Sequence, residues 1–396
     1  MVQSPSTPKA NSRRIQQWLS AALFLSLAVP LQAQEAHSFG IAGAATAAPM
    51  EIYGFYWNPA LLAVPGGNNL WSVAAGGSFF DTSNTGSPIL RFTPENAALS
   101  AQDPVQRYQQ YLGSFAVKYS NATGGVIYNQ ELKSTESQGA LAFFNGRNQG
   151  TIPVSQAYNL DFQETRQQIS DLILSYGTPL PIGNFPFLAV GGSLKYHDGI
   201  QYQQTVLSGV YQQGSTAAGY QYTKTTSNSG LGLSFDGGFL VKINDTLSAG
   251  MMFVNLQSNF NWQAKQQTFV LDPSTGAETP VGLPVDVTVP ANFPSATKLG
   301  LTACPPEKNI ALEGEVSWTQ GQVNWRGGVE RWYPENHLVV RLGTFNDRVS
   351  NSQLWTFGAG FQLPAFNIDA AFVTRSLPAV QDSISFGAAL DAECRF

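Results

Sequence analysis

Apolar residues recur at every second position along most of this chain. Leu188, Val190, Leu194 and Tyr196 alternate with Ala189, Gly191, Ser193, Lys195 and His197. Leu231, Leu233, Phe235, Phe239, Val241 and Ile243 alternate with Ser234, Asp236 and Lys242 in the same way. Ile310, Leu312, Val316 and Trp318 alternate with Glu313, Glu315 and Ser317, and Phe366, Ile368, Ala370 and Phe372 with Asn367 and Asp369. Successive side chains of a strand point to opposite faces, so each segment predicts a β-strand with one apolar and one polar face. The alternation is strictest at the end of the sequence. There Ile384, Phe386, Ala388, Leu390, Ala392, Cys394 and Phe396 fall on one side, and Ser385, Gly387, Ala389, Asp391, Glu393 and Arg395 on the other. Counted from Gly66-Gly67 onward, the period predicts about 14 strands and an all-β chain.

Composition changes what those two faces mean. Only 12% of the residues are charged, 12% are aromatic and 38 are Gly, yet mean hydropathy is −0.10. Soluble domains carry about 25% charged residues. A low charge content with no long apolar run fits strands that turn one face to lipid and the other to a polar lumen. Only helices and closed barrels satisfy every backbone group in lipid, and no stretch approaches the ~20 apolar residues of a spanning helix. The expected fold is therefore a transmembrane antiparallel β-barrel over residues 67–396, with outer-membrane lipid as its surroundings. There is no basic patch, which argues against nucleic acid as a partner.

The N-terminus reads as an export signal. Lys9, Arg13 and Arg14 precede a short apolar run, Trp18–Val29, then Pro30 and small residues, so residues 1–33 form the expected signal peptide. Tight links are predicted near Asn121–Gly124, Pro181–Phe185, Asn244–Thr246, Pro305–Lys308, Pro334–Asn336 and Pro364. Longer links are predicted near Asp81–Leu112, Lys133–Gln167, Ile200–Ser229 and Lys265–Ser295, with apolar content at Pro88–Phe92 and Val281–Val289. Short periplasmic turns and long outer loops would orient the barrel. Trp71, Trp262, Trp318, Trp325, Trp332 and Trp355 are placed near strand ends, as aromatic girdles at the membrane surfaces. Cys304 and Cys394 fall in distant strands and are expected to be unpaired.

The terminal strand resembles the C-terminal insertion signal of bacterial outer-membrane β-barrels. By that resemblance Gly387, Leu390 and Phe396 would be read by the barrel assembly machinery, in the cell outer membrane of a Gram-negative bacterium. A second resemblance lies between the signal peptide and the first strand. Phe39–Val64 is apolar, rich in small residues, lacks alternation and is interrupted by Pro49 and Pro59. Residues 34–66 are thus expected to form a plug inside the barrel. Tyr56-Trp57-Asn58-Pro59-Ala60 after a Gly/Ala-rich stretch resembles the FadL-type family of outer-membrane transporters and the related PorV-like barrels. The resemblance implies a hatch carrying Trp57, Asn58, Pro59 and Ala60. It also implies passive uptake of hydrophobic small molecules such as long-chain fatty acids, which leave sideways through the wall. The alternative it allows is a PorV-like adaptor for secretion or an envelope complex. The family's acidic-small run before the motif is reduced here to Glu51, and Leu61 stands where a glycine commonly follows.

Candidate chemistry is sparse. His197-Asp198 is the one Asp/His neighbour pair, and neighbours on a strand face opposite ways, which is wrong for a mutual hydrogen bond. No nucleophile elbow, metal-spaced His/Cys cluster or phosphate loop is present in the sequence. The expectation is a non-enzyme with no catalytic residue, no metal and no cofactor.

Overall fold

The computed structural model describes residues 36–48, 52–64, 71–83, 105–137, 139–140, 157–159, 161–182, 187–207, 210–212, 220–271, 278–290, 293–305, 309–333, 337–347, 352–375 and 384–396. The expected signal peptide, the Pro88–Phe92 loop and the Pro334–Asn336 turn lie outside them, as do most of the Pro181–Phe185 and Pro305–Lys308 turns.

Two short helices, α1 (Ala36–Gly40) and α2 (Gly54–Trp57), and a 3-10 turn (Pro59–Ala63) precede the strands. The first strands are β1 (Trp71–Ser83), β2 (Val105–Tyr119), β3 (Ala122–Glu136), β4 (Ala157–Asn159), β5 (Phe162–Pro179), β6 (Phe187–Leu207) and β7 (Val210–Gln212). Next come β8 (Tyr220–Ser227), β9 (Gly230–Lys242), β10 (Leu247–Ser258), β11 (Asn261–Leu271), β12 (Glu278–Pro290) and β13 (Ala296–Ala303). The last are β14 (Ile310–Thr319), β15 (Gln322–Trp332), β16 (Leu338–Asp347), β17 (Ser352–Leu363), β18 (Phe366–Arg375) and β19 (Ile384–Arg395). β4 and β7 form a small separate ladder. The other 17 strands make one antiparallel sheet. It closes where β1 pairs with β19, from Ser72 opposite Arg395 to Ser83 opposite Ile384. Beyond that register, Phe396 donates its N–H to the Trp71 carbonyl at 2.8 Å.

More strands form than the about 14 expected, because three positions round the wall are each filled by two successive strands. β8 and β9 succeed each other along β6. β10 pairs with β9 and β11 with β8, so these two also follow one another. β12 pairs with β11 and β13 with β10. The period-2 pattern is silent about such breaks, since it continues on either side of them.

The two faces separate as their chemistry demands. Leu174, Leu194, Leu233, Phe235, Phe239, Leu301, Leu312 and Phe372 are exposed on the exterior, while Ser193, Lys195, Ser234, Asp236, Glu313, Glu315, Asp369 and Asp391 are buried. Water would not tolerate that exterior on a monomer, and lipid requires it.

Some links differ from expectation. The first turn is Ser120-Asn121, with Ser120 at φ 51°, and β3 begins directly after it. Three expected long outer links are shortened by strand growth, because β5 and β6 run far beyond the ~9–11 residues a bilayer needs, and β11 and β12 extend the wall past β10 and β13. Val281–Val289 is part of β12 rather than a loop. On the end expected to carry long loops, β14 and β15 are joined by Gln320-Gly321 alone. Both have positive φ (50° and 76°), the geometry of a type I′ hairpin turn. Cys304 and Cys394 are both free.

Candidate functional site: the barrel interior

Residues 36–48 and 52–64 are almost wholly buried and touch the inner wall on opposite sides. α1 lies against β16, β17, β18 and β19, while the 3-10 turn lies against β5, β6 and β9. Glycines in the wall make these approaches possible. A Cβ on Gly191 would stand 2.3 Å from the Pro59 carbonyl carbon, and one on Gly238 would overlap the Asn58 side chain. Gly250 and Gly343 leave the same room for Thr46 and for Ile41-Ala42.

The structure brings Trp57, Asn58, Pro59 and Ala60 together at this contact. The Asn58 Oδ1 accepts from the Ala60 N–H at 3.1 Å and so caps the 3-10 turn, whose first residue, Pro59, has no N–H to satisfy. Its Nδ2 donates to the Thr46 carbonyl at 2.8 Å and to the Phe239 carbonyl in β9 at 3.0 Å. One amide thereby ties the two parts of the segment to each other and to the wall. Trp57 is buried beneath the Lys298 ammonium, 4.8 Å from the ring centroid. Burial pushes the Tyr56 hydroxyl up to about 12, with desolvation the main cause and the negative charge of Asp171 the next.

The second set of expected site residues lies elsewhere. Gly387 faces inward, where an added Cβ would come within 3.1 Å of the Phe39 ring. Leu390 and Phe396 are on the exterior.

Under β16–β19 the contacts with α1 are charged. Arg341 is fully buried between Glu330, 3.0 Å away, and Asp369. His37 reaches Glu330 at 3.2 Å, and Asp391 accepts from the Ala36 N–H at 2.5 Å. Further round, Glu315 accepts from the Thr46 hydroxyl at 2.5 Å.

The opposite side is aromatic. Ile169, Tyr202, Phe260 and Trp262 form a buried cluster, with Phe293 and Val289 packed on it. Trp262 is a correction to the girdle expectation. It is wholly buried on the inner face, with Gly199 and Gly230 leaving space for its indole. Trp71, Trp318 and Trp325 are exposed on the exterior, where a girdle belongs. Tyr202 joins this cluster to a cavity of about 360 Å³ that Glu131, Lys133, Gln163 and Gln167 also line.

At the same height the wall has a seam. The β10–β13 ladder ends at Val254 opposite Ala296, and the β11–β12 ladder begins at Asn261 opposite Pro290. Between them, no described residue forms a ladder pair across the seam. Asn255 there has φ 51° and donates its N–H to the Asp236 carboxylate at 2.8 Å. Its side chain reaches the Pro294 carbonyl at 3.4 Å.

His197 is buried beside this seam. As the alternation required, Asp198 is not its partner. Asp171, directly across the β5–β6 ladder, lies 2.6 Å from its Nδ1, and Ser234 of β9 lies 2.8 Å from its Nε2. Sequence reasoning missed both. Their only signal was a place on the polar face of neighbouring strands, and pairing register decides which of those residues meet.

A closed antiparallel sheet with an apolar exterior and a polar, filled interior defines the class: a transmembrane β-barrel of the Gram-negative outer-membrane type. Within that class the chain has the fold of FadL-type transporters. It superimposes on the toluene transporter TbuX of Ralstonia pickettii with a TM-score of 0.59 and 12% identity, over 92% of this chain and 99% of TbuX. The toluene transporter TodX of Pseudomonas putida gives 0.59 and 14%, over 92% and 99%. A FadL homologue of Pseudomonas aeruginosa gives 0.55 and 13%, over 93% and 98%. Neither a protein-family model nor a curated protein sequence matches the chain.

Proposed function

We propose that this protein is a FadL-type channel of the outer membrane that takes up hydrophobic compounds passively, with residues 34–66 as its hatch. The observation that carries the reading is the seam between β10–β11 and β12–β13, which lies level with the aromatic cluster. A molecule entering the outer mouth meets the 360 Å³ cavity, then Tyr202, Trp262, Phe260 and Phe293. Below them the hatch stands in the straight path. The Asn58 contact at Gly238 is four residues down β9 from Ser234, roughly 14 Å at ~3.4 Å per residue. An apolar solute therefore has its easier exit sideways, through the seam and into lipid.

The aromatic lining suits small aromatic molecules at least as well as the long-chain fatty acids expected from sequence, and TbuX and TodX are toluene transporters. Uptake of radiolabelled toluene and of a long-chain fatty acid into proteoliposomes tests the proposal. Faster entry than into protein-free liposomes supports it. No acceleration of either, with secreted proteins co-purifying instead, supports the adaptor reading. Gly387, Leu390 and Phe396 are proposed as the assembly signal, to be checked by a lower yield of heat-modifiable barrel for Phe396→Asp.

A further inference from the structure

Asp171, His197 and Ser234 project into the lumen from three neighbouring strands and are hydrogen-bonded in the order carboxylate, imidazole, hydroxyl. The carboxylate accepts from Nδ1–H at 2.6 Å, which leaves Nε2 to accept the Ser234 hydroxyl proton at 2.8 Å. This is the connectivity by which a serine is activated as a nucleophile. Here a serine with no charge of its own is coupled through the imidazole to a carboxylate.

The surroundings are charged on one side and aromatic on the other. Lys195 stands opposite Ser234 in the β6–β9 register, and its ammonium is 2.5 Å from Asp236 on the same inner face. The register thus sets a lysine across the ladder from the serine, with its charge held by Asp236. Phe293 stacks on the imidazole at 4.4 Å with a 15° interplanar angle, and Phe260 meets it edge-on at 6.0 Å. Phe293, described between β12 and β13, has no ladder partner at the seam. Its ring occupies the space an apolar acyl chain would take over the site.

We propose that the lumen carries an esterase site for hydrophobic carboxylic esters, with Ser234 as nucleophile, His197 as general base and Asp171 orienting the imidazole. Ser234 Oγ bonds to the ester carbonyl carbon while its proton passes to His197 Nε2. The C–O bond to the alcohol then breaks, and His197 returns the proton to the departing oxygen. Water repeats the sequence on the acyl-serine, its proton passing through His197 to Ser234. The products are one carboxylic acid and one alcohol, and the serine is regenerated. This activity is separate from the proposed uptake, so the two can fail independently.

The test uses the full-length folded barrel in detergent, with heat-modifiability as the check on folding. It is treated with a fluorophosphonate probe and assayed with p-nitrophenyl butyrate and laurate. Ser234 is expected to carry the phosphonyl group in peptide mass spectra of the wild type. Ser234→Ala should abolish labelling, and Asp171→Asn should slow ester hydrolysis at least ~100-fold. Phe293→Ala, which uncovers the imidazole, should speed labelling. Label found on other residues alone, or hydrolysis that survives Ser234→Ala, overturns the proposal. So does the absence of both labelling and turnover in the wild type and in Phe293→Ala.

Discussion

The two sides of this barrel solve the problem of a filled lumen differently. From β14 round to β19 the ladders run without a break, and the inner face is charged. From β8 to β13 the wall is broken three times and the inner face carries the aromatic cluster beside Ser234 and Asp236. On the charged side Arg341 is anchored by Glu330 and Asp369, and α1 is tied to Glu330 through His37 and to Asp391 through the Ala36 N–H, so the arrangement depends on fixed distances and an unbroken wall. On the aromatic side, contacts have little directional demand, and rings can be displaced by another apolar body at small cost. Backbone groups left out of a ladder at membrane depth are costly unless something else satisfies them. At the seam Asn255 and Asp236 do part of this. The difference marks the aromatic half as the more tolerant of displacement, while the buried residues 36–48 and 52–64 are held from both halves.

Removal of residues 39–64 should have the largest effect on this contrast. Wall pairing does not use the segment, so the barrel should still close, and single-channel conductance in planar bilayers should rise steeply. Equal conductance for intact and deleted protein would take away the hatch and with it the reason for a sideways exit. Next in size is Arg341→Leu, which leaves Glu330 and Asp369 facing each other without their shared cation. Loss of one member of a buried pair costs about 3–5 kcal/mol. Urea unfolding from detergent should report it, and an unchanged midpoint would show the charged half to be less anchored than described.

Gly238→Ala comes third, because its methyl would overlap Asn58 Oδ1. Overpacking of that kind costs about 1–3 kcal/mol. The Asn58 bonds to Thr46 and Phe239 should loosen, giving a measurable rise in conductance short of the full deletion. The smallest effect is expected from Asn255→Ala, about 1 kcal/mol, for the strain of alanine at positive φ and the lost bond to Pro294. Faster uptake of toluene in that variant with little change in unfolding would confirm that the seam, rather than the hatch, limits passage. Slower uptake would reverse the roles of the two halves.

Much of the barrel was written locally. Alternation depends only on a residue and its neighbours two positions away, so the exteriors of β6, β9, β14, β18 and β19 could be read directly from the chain. The absence of long apolar runs and the low charge content then left a closed sheet in lipid as the consistent outcome. Asn58-Pro59-Ala60 carried its own geometry, a capping amide followed by a proline at the first position of a turn.

What the sequence could not carry was register. Whether Asp171 or another inward residue meets His197 depends on how β5 slides along β6, and a shift of two residues preserves every face while changing every partner. The same holds for Ser234, which reaches His197 only because β9 is aligned as it is on β6. Trp262 looked like a girdle residue by position, and became a lumen residue because Gly199 and Gly230 on adjacent strands leave a hollow at its level. The seam needed the most distant information of all. A break in pairing is a property of two strands at once, and neither β10–β11 nor β12–β13 records it alone. The sequence by itself determined the lipid face of the strictly alternating strands, since that choice is local. Only the tertiary structure decided which inward residues meet, because that choice rests on alignment between segments far apart in the chain.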